Sequence, residues 1–168
     1  VTIFVGKHID LRKLSRIKAV GNTNIITVMT ERPKQQAFLF EQSGHGKNLR
    51  QSTDKVALIG YHELAKELGK IPELEAIFIP TSSGTAAQGI AEKIQKINKQ
   101  IQIHIVQTTK CHPLAEVFDK TFEKTESSCA SAIVDIIGKR KENLVKEIKK
   151  SFGYGWVVSD EQIIEAQK

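Results

Sequence analysis

This chain of 168 residues has little that suits it to a membrane, a disulfide framework or a nucleic-acid surface. No apolar run approaches the roughly 18 residues that a spanning helix needs. The opening run, Val1-Thr-Ile-Phe-Val5, stops at Gly6 without a basic lead-in, too short for a secretory signal. Cysteine occurs only at Cys111 and Cys129, outside any C-x-x-C spacing. That excludes a disulfide-rich scaffold, argues against structural zinc and favours a reduced, cytoplasmic setting. His8, His45, His62, His104 and His112 lack metal-ligand spacing, and no H-E-x-x-H occurs, so no metal site is expected. Trp156 is the single tryptophan, aromatics make up 6% of the chain, and none interleave with the basic residues as a base-stacking platform would.

What is present is globular. Hydrophobic residues make up 40% and charged residues 26%, which excludes a disordered or collagen-like chain. Lysine and arginine number 25 against 19 aspartates and glutamates, a net charge of +6. Such a surplus can mark a nucleic-acid binder, but its placement does not. Lys93, Lys96 and Lys99 fall at helical spacing opposite Ile90, Ile94 and Ile97. The run from Lys139 to Lys150 is interrupted by Glu142 and Glu147, with Glu142 and Lys146 in the favourable i,i+4 order. Solvated helix faces explain these charges, and neither nucleic acid nor a membrane is expected as a partner.

The hydropathy pattern alternates strand and helix. Thr2–Val5 reads as a buried strand, 10–20 as an amphipathic helix capped by Asp10 and stopped at Gly21 and Asn22, and Asn24–Val28 as a second strand. Helices are expected from Pro33 to Gln42 and from Ile59 to Leu68, with a polar, irregular stretch at 47–56 between them. Ala76–Pro80 is the clearest buried strand, followed by a helix over Thr85–Asn98 and a strand over Ile101–Val106. Further helices are expected at 113–118, 128–137 and 139–151, then a short strand at 156–158. A capping box at Ser159-x-x-Gln162 opens a last helix that runs to the end. This is an α/β pattern: a mostly parallel sheet flanked by helices in three layers.

The informative stretch is Ile77-Phe-Ile-Pro-Thr-Ser-Ser-Gly-Thr-Ala-Ala-Gln-Gly-Ile90. A strand ends, a small-residue loop turns and a helix begins. Such a junction presents unpaired backbone N–H groups at the positive end of a helix, which suits phosphate. Gly84 allows close backbone approach, and the hydroxyls of Ser82, Ser83 and Thr85 can donate further bonds. The loop matches neither the P-loop nor G-x-G-x-x-G, and a plain helix cap would look the same.

With those residues in view, the chain resembles the pyridoxal-phosphate enzymes of the tryptophan-synthase-β type, and among them threonine synthase. The resemblance runs through Thr2–Val5, Lys13–Gly21, Asn48–Ser52, Ile59–Glu67, Phe78–Gly84, Val106-Gln107, Cys111–Leu114 with Phe118, Ser131–Ile133, Val158–Glu161 and Glu165-Ala166, in order. It implies pyridoxal 5′-phosphate as cofactor, with Ser82, Ser83, Gly84, Thr85 and Ala86 at its phosphate and Ser131 and Ala132 near its ring. It also implies that 1–45 closes a small β-α-β domain and that 46–168 belongs to a large α/β domain, truncated at its C-terminus. The family's Schiff-base lysine lies upstream, and no segment here matches it; the residue that faces the pyridine nitrogen lies downstream. Position 1 is Val and position 168 falls inside a helical pattern. A fragment is therefore expected, incomplete relative to the family fold, inactive alone and contributing no catalytic residue of its own.

The implied chemistry is that of a lyase working by elimination and replacement on a small-molecule amino-acid substrate. In the threonine synthase version, O-phosphohomoserine becomes threonine and phosphate; a homodimer is one assembly such an enzyme takes. The family cradle is richer in glycine than Ser82-Ser-Gly-Thr85, which keeps a cysteine synthase or threonine/serine dehydratase relative open. A third alternative is a non-catalytic α/β module that binds a phosphorylated ligand through the same loop. Lys110 reads as a surface residue, because nothing around it would lower its pKa as Schiff-base chemistry requires. Cys129 has no nearby base in sequence and reads as a small residue packed near the cofactor. His45, between glycines, reads as a loop histidine, while Asn48, Arg50 and Ser52 divide evenly between a solvated loop and a substrate-side role.

Overall fold

The computed structural model describes residues 1–20 and 24–168, so the helix stop expected at Gly21 and Asn22 lies outside the described residues. The chain divides into two compact units, Val1–Leu49 and Arg50–Lys168.

The first unit contains β1 (Thr2–Gly6), α1 (Leu11–Ala19), β2 (Ile26–Thr30) and α2 (Pro33–Gln42). Asp10 caps α1 by accepting the Lys13 N–H at 3.1 Å, and Pro33 opens α2, where its missing N–H costs nothing. The strands pair in parallel from Thr2 opposite Ile26 to Gly6 opposite Thr30. β2 starts two residues later than the sequence pattern suggests. The Val1 ammonium binds the Asn24 carbonyl at 2.6 Å, and the ladder begins only where Ile26 N–H meets the Val1 carbonyl at 2.9 Å. Packing is thin: Val5 is the one buried apolar side chain among the described residues of this unit, with Phe4 edge-on to Phe40 at 5.4 Å beside it.

The second unit runs α3 (Val56–Ile59), α4 (His62–Leu68), β3 (Ala76–Pro80), α5 (Thr85–Ile97), β4 (Gln102–Thr108), a 3-10 turn at Ala115–Val117, α6 (Lys141–Lys150), β5 (Gly155–Val158) and α7 (Asp160–Glu165). Its three strands are all parallel, in the order β3-β4-β5. The helix expected over Ile59–Leu68 is broken into α3 and α4 at Gly60-Tyr61. There the chain crosses α5 so closely that a Cβ on Gly89 would lie 2.6 Å from the Leu58 carbonyl oxygen. α5 buries Ala87, Ile90, Ala91 and Ile94, the one-sided spacing of an amphipathic helix, against Ile101, Ile103 and Ile105 and against Leu144 and Ile148 of α6. The opposite face of the sheet leaves Phe78 and Trp156 exposed on either side of His104, so helices flank the sheet incompletely.

Two expected helices do not form as drawn. The 113–118 helix is reduced to the 3-10 turn, and 128–137 contains no helix. In the latter, short polar side chains divert the backbone. Ala130 N–H donates to Ser128 Oγ at 3.2 Å, and Cys129 N–H to Asp160 Oδ2 at 2.8 Å. Among the described residues Glu142 and Lys146 form no ion pair; Glu147 pairs with Lys150 at 2.7 Å and Lys141 reaches Glu116 at 2.6 Å, each with a lysine open to solvent and worth little to stability. The capping box forms, with Ser159 N–H donating to Gln162 Oε1 at 2.9 Å and Gln162 N–H to Ser159 Oγ at 3.3 Å. Among the described residues, no helix is long and apolar enough to cross a membrane.

Candidate functional site

The site is the turn between β3 and α5. Thr81 N–H still belongs to the sheet, donating to the Val106 carbonyl at 2.9 Å. The chain then leaves the ladder and reaches Gly84, the N-cap of α5, at φ +86°. Only glycine takes that conformation without strain. A Cβ here would also lie 2.9 Å from Leu144 Cδ2 and 3.2 Å from Leu114 Cδ1. Packing beneath the turn therefore demands this glycine, which is a different reason from the ligand approach that the sequence suggests.

No side chain caps α5. Among the described residues, the backbone N–H groups of Ser82, Ser83, Gly84, Thr85 and Ala86 donate to no protein group. Five free amides at the start of a 13-residue helix combine unmet donors with the positive end of its dipole. Ser82, Ser83 and Ala86 are half-buried, while Gly84 and Thr85 are buried.

The hydroxyls are not equivalent. Ser82 Oγ accepts the N–H groups of Val134 and Asp135, each at 3.1 Å. Thr85 Oγ1 accepts from Arg140 Nε at 3.1 Å and donates to the Gln51 carbonyl at 3.3 Å. Ser83 Oγ donates its proton to Thr85 Oγ1 at 3.1 Å, because the one Thr85 hydroxyl proton goes to Gln51. Of three hydroxyl protons expected to donate outward, those of Ser83 and Thr85 are committed to the scaffold, while among the described residues that of Ser82 has no protein acceptor.

Two side chains hold this loop, and neither shows that role in the sequence. Gln107, fully buried on β4, donates Nε2–H to the Thr81 carbonyl at 3.0 Å and the Ser82 carbonyl at 3.4 Å. Its Oε1 accepts from the N–H groups of Leu114 and Ala115 at 2.8 and 2.9 Å. Fixing two carbonyls on one side of the turn aims the following amides to the other, because each peptide is planar. Arg140 binds from the other flank. In sequence, the signal for Gln107 is a glutamine at the end of an apolar strand, while Arg140 is one more charge in a basic run.

Ser131 and Ala132 are exposed in a turn closed by Ile133 N–H to the Ala130 carbonyl at 3.0 Å. Neither hydrogen-bonds the loop; their segment meets it two residues later, through Val134 and Asp135 on Ser82. Asp135 also faces Arg50 at 4.0 Å. Ser52 is buried, and its Oγ has no partner. Asn48 N–H donates to Glu41 Oε1 at 3.1 Å within the first unit. Lys110 is exposed, as is His45, whose Nδ1 shares a bond of 2.8 Å with Ser43 Oγ. Cys129 is exposed, and partial desolvation, together with the neighbouring Asp160 carboxylate, raises its thiol pKa. That is the opposite of what a nucleophile needs.

Free amides, a helix N-terminus and one open hydroxyl fit a phosphate ester. A family model described as pyridoxal-phosphate-dependent enzyme matches residues 1–168. The chain belongs to that family. Its members depend on pyridoxal phosphate, whose phosphate the turn suits. No curated protein sequence matches the chain. Among solved structures, it is similar to a pyridoxal 5′-phosphate-dependent aspartate racemase, at TM-score 0.77 and 20% identity, with 98% of this chain and 51% of that one covered. Maize serine racemase follows at TM-score 0.73 and 17% identity, with 99% and 52% covered. An O-acetylserine-dependent cystathionine β-synthase from Helicobacter pylori stands at TM-score 0.57 and 14% identity, with 95% and 51% covered. The chain thus shares their fold and spans about half their length.

Proposed function

We propose that the N–H groups of Ser82, Ser83, Gly84, Thr85 and Ala86 hold the phosphate of pyridoxal 5′-phosphate, with Ser131 and Ala132 beside its ring, in an enzyme acting on a small amino acid. The observation that carries this is the row of five undonated amides at the start of α5. When bound, the cofactor supplies an electron sink for charge left at the substrate's α-carbon. This chain's own residues anchor and orient: the amides take the dianion, Ser82 Oγ, which only accepts from the scaffold, adds a donor, and Gln107 and Arg140 keep the loop rigid. Rigid placement is itself a large share of such catalysis.

For the reaction, the order of Asn48–Ser52, Phe78–Gly84 and Cys111–Leu114 favours a threonine-synthase-like lyase converting O-phosphohomoserine to threonine and phosphate. A racemase is the second reading, favoured by the aspartate and serine racemases among the structural neighbours. The cystathionine β-synthase neighbour keeps β-replacement of the cysteine synthase kind, and its dehydratase relatives, in the comparison. A reduced, cytoplasmic setting is consistent with two free cysteines, and a homodimer is one assembly open to such an enzyme.

Calorimetry with pyridoxine 5′-phosphate and pyridoxine tests the site without lysine adducts. The phosphate ester is expected to bind at least tenfold more tightly; equal affinities would remove the phosphate assignment. Assays of the intact protein with O-phosphohomoserine, O-acetylserine, threonine and the L- and D-forms of serine and aspartate then separate the reactions. Turnover of the last pair alone would replace the lyase with a racemase.

A further inference from the structure

We propose that Arg140 is a positioning residue for the phosphate loop, and that the bound phosphate adds counter-charge to a buried guanidinium that no carboxylate pairs with directly. This rests on the phosphate assignment above and deepens it.

Arg140 is 7% exposed. Its Nε donates to Thr85 Oγ1 at 3.1 Å, its Nη1 to Gln88 Oε1 at 3.3 Å, and its Nη2 to the backbone carbonyls of Gln51 and Asp54 at 2.6 and 2.7 Å. Every acceptor is neutral. Among the described residues Arg140 forms no ion pair: Asp54 meets it through a backbone carbonyl, and Glu92 is reached through Gln88, whose Nε2 donates to Glu92 Oε1 at 2.7 Å. Burial depresses the guanidinium pKa, with Glu92 and Asp54 opposing, yet an arginine stays charged. A buried cation satisfied only by dipoles is costly, and a hydrophobic side chain of similar size would often be cheaper.

The position of the charge explains why it is worth keeping. Its Nε bonds the side chain of Thr85, whose own backbone amide is one of the five left free, so the cation is tied to the turn that carries them. Its planar fork ties three segments together: the first turn of α5 through Thr85 and Gln88, the 51–54 stretch through two carbonyls, and the approach to α6 through its own backbone. Two consequences follow. The amides are held in one orientation before the anion arrives. The dianion gains a positive charge in a partly desolvated setting, where screening is weak.

Phosphorus NMR and calorimetry on the full chain with pyridoxine 5′-phosphate test this. A free phosphate monoester loses its second proton near pH 6. In the wild type, the bound ester is expected to titrate lower than that. Arg140→Gln should weaken pyridoxine 5′-phosphate at least tenfold, leave pyridoxine unchanged and return the titration midpoint towards the free value. Arg140→Lys should restore the midpoint and only part of the affinity, because the charge remains without the fork. A variant that melts earlier but binds with wild-type affinity and midpoint would reduce Arg140 to a purely structural residue and overturn the proposal. If Arg140→Gln does not fold, Thr85→Val keeps the cation and removes its Nε acceptor; unchanged affinity there also overturns it. Wild-type chain with no preference for the phosphate ester would instead sink the phosphate assignment itself.

Discussion

α1 and α5 carry the same kind of one-sided apolar stripe, but α1 buries none of its residues while α5 buries Ala87, Ile90, Ala91 and Ile94. Leu11, on the stripe of α1, is 76% exposed; Ile94, on that of α5, is fully buried. Both helices connect parallel strands, so topology does not separate them. The difference is a second layer. α5 packs against α3, α4 and α6 as well as the sheet, whereas the first unit has two strands and few side chains to close over them. An amphipathic pattern names the face that is to be buried, and only a partner surface buries it. Stability, and with it the loop at 82–86, belongs to the second unit.

Cutting into the core of the second unit should have the largest effect. Ile105→Ala empties a fully buried site on β4 and is expected to cost about 2–5 kcal/mol in urea unfolding. A loss below about 1 kcal/mol would mean that the site collapses and that the contrast between the units is overstated. Next comes Gln107→Leu, which strands the Thr81 carbonyl and the Leu114 and Ala115 amides at about 1–3 kcal/mol for each group left unpaired. Unlike Ile105→Ala, it should also weaken pyridoxine 5′-phosphate; unchanged affinity would detach Gln107 from the loop's geometry.

A smaller, pH-dependent effect should arise at His104. Its Nδ1 accepts from Tyr154 N–H at 3.1 Å and Trp156 Nε1–H at 3.2 Å, and Phe78 stacks on the ring at 4.4 Å. Burial holds its pKa below the ordinary imidazole value of about 6.5. The folded state thus binds this proton less readily than the unfolded chain. Its contribution is complete above that ordinary value and lost as pH falls from there towards the depressed folded value. The Tm of the wild type should drop over this range more than that of His104→Gln; parallel curves would exclude His104 as the cause. Smallest of all is Leu11→Ala on α1, expected to change unfolding free energy by about 0.5 kcal/mol or less. A larger loss would show that the first unit holds more core than its exposure implies.

Much of the fold was legible. The strand at Ala76–Pro80, the turn after it and α5 lie where hydropathy places them, and Asp10 and Ser159 cap as their side chains suggest. The clearest miss has a long-range cause. Residues 128–137 have an acceptable helical pattern, but their amides go to Asp160 and Ser82, partners that no local window contains. The same holds for the hydroxyls of the loop: Ser82, Ser83 and Thr85 look alike in sequence, and their distinct roles come from Val134, Asp135, Gln51 and Arg140.

The amino-acid order alone therefore settled the alternation of strand and helix, the small-residue junction at 81–86 and the caps, because each depends on neighbours within a few positions along the chain. Tertiary structure decided which donors stay open and where a buried charge stands. Those depend on groups 52 and 55 residues away, brought together only when the core of the second unit closes.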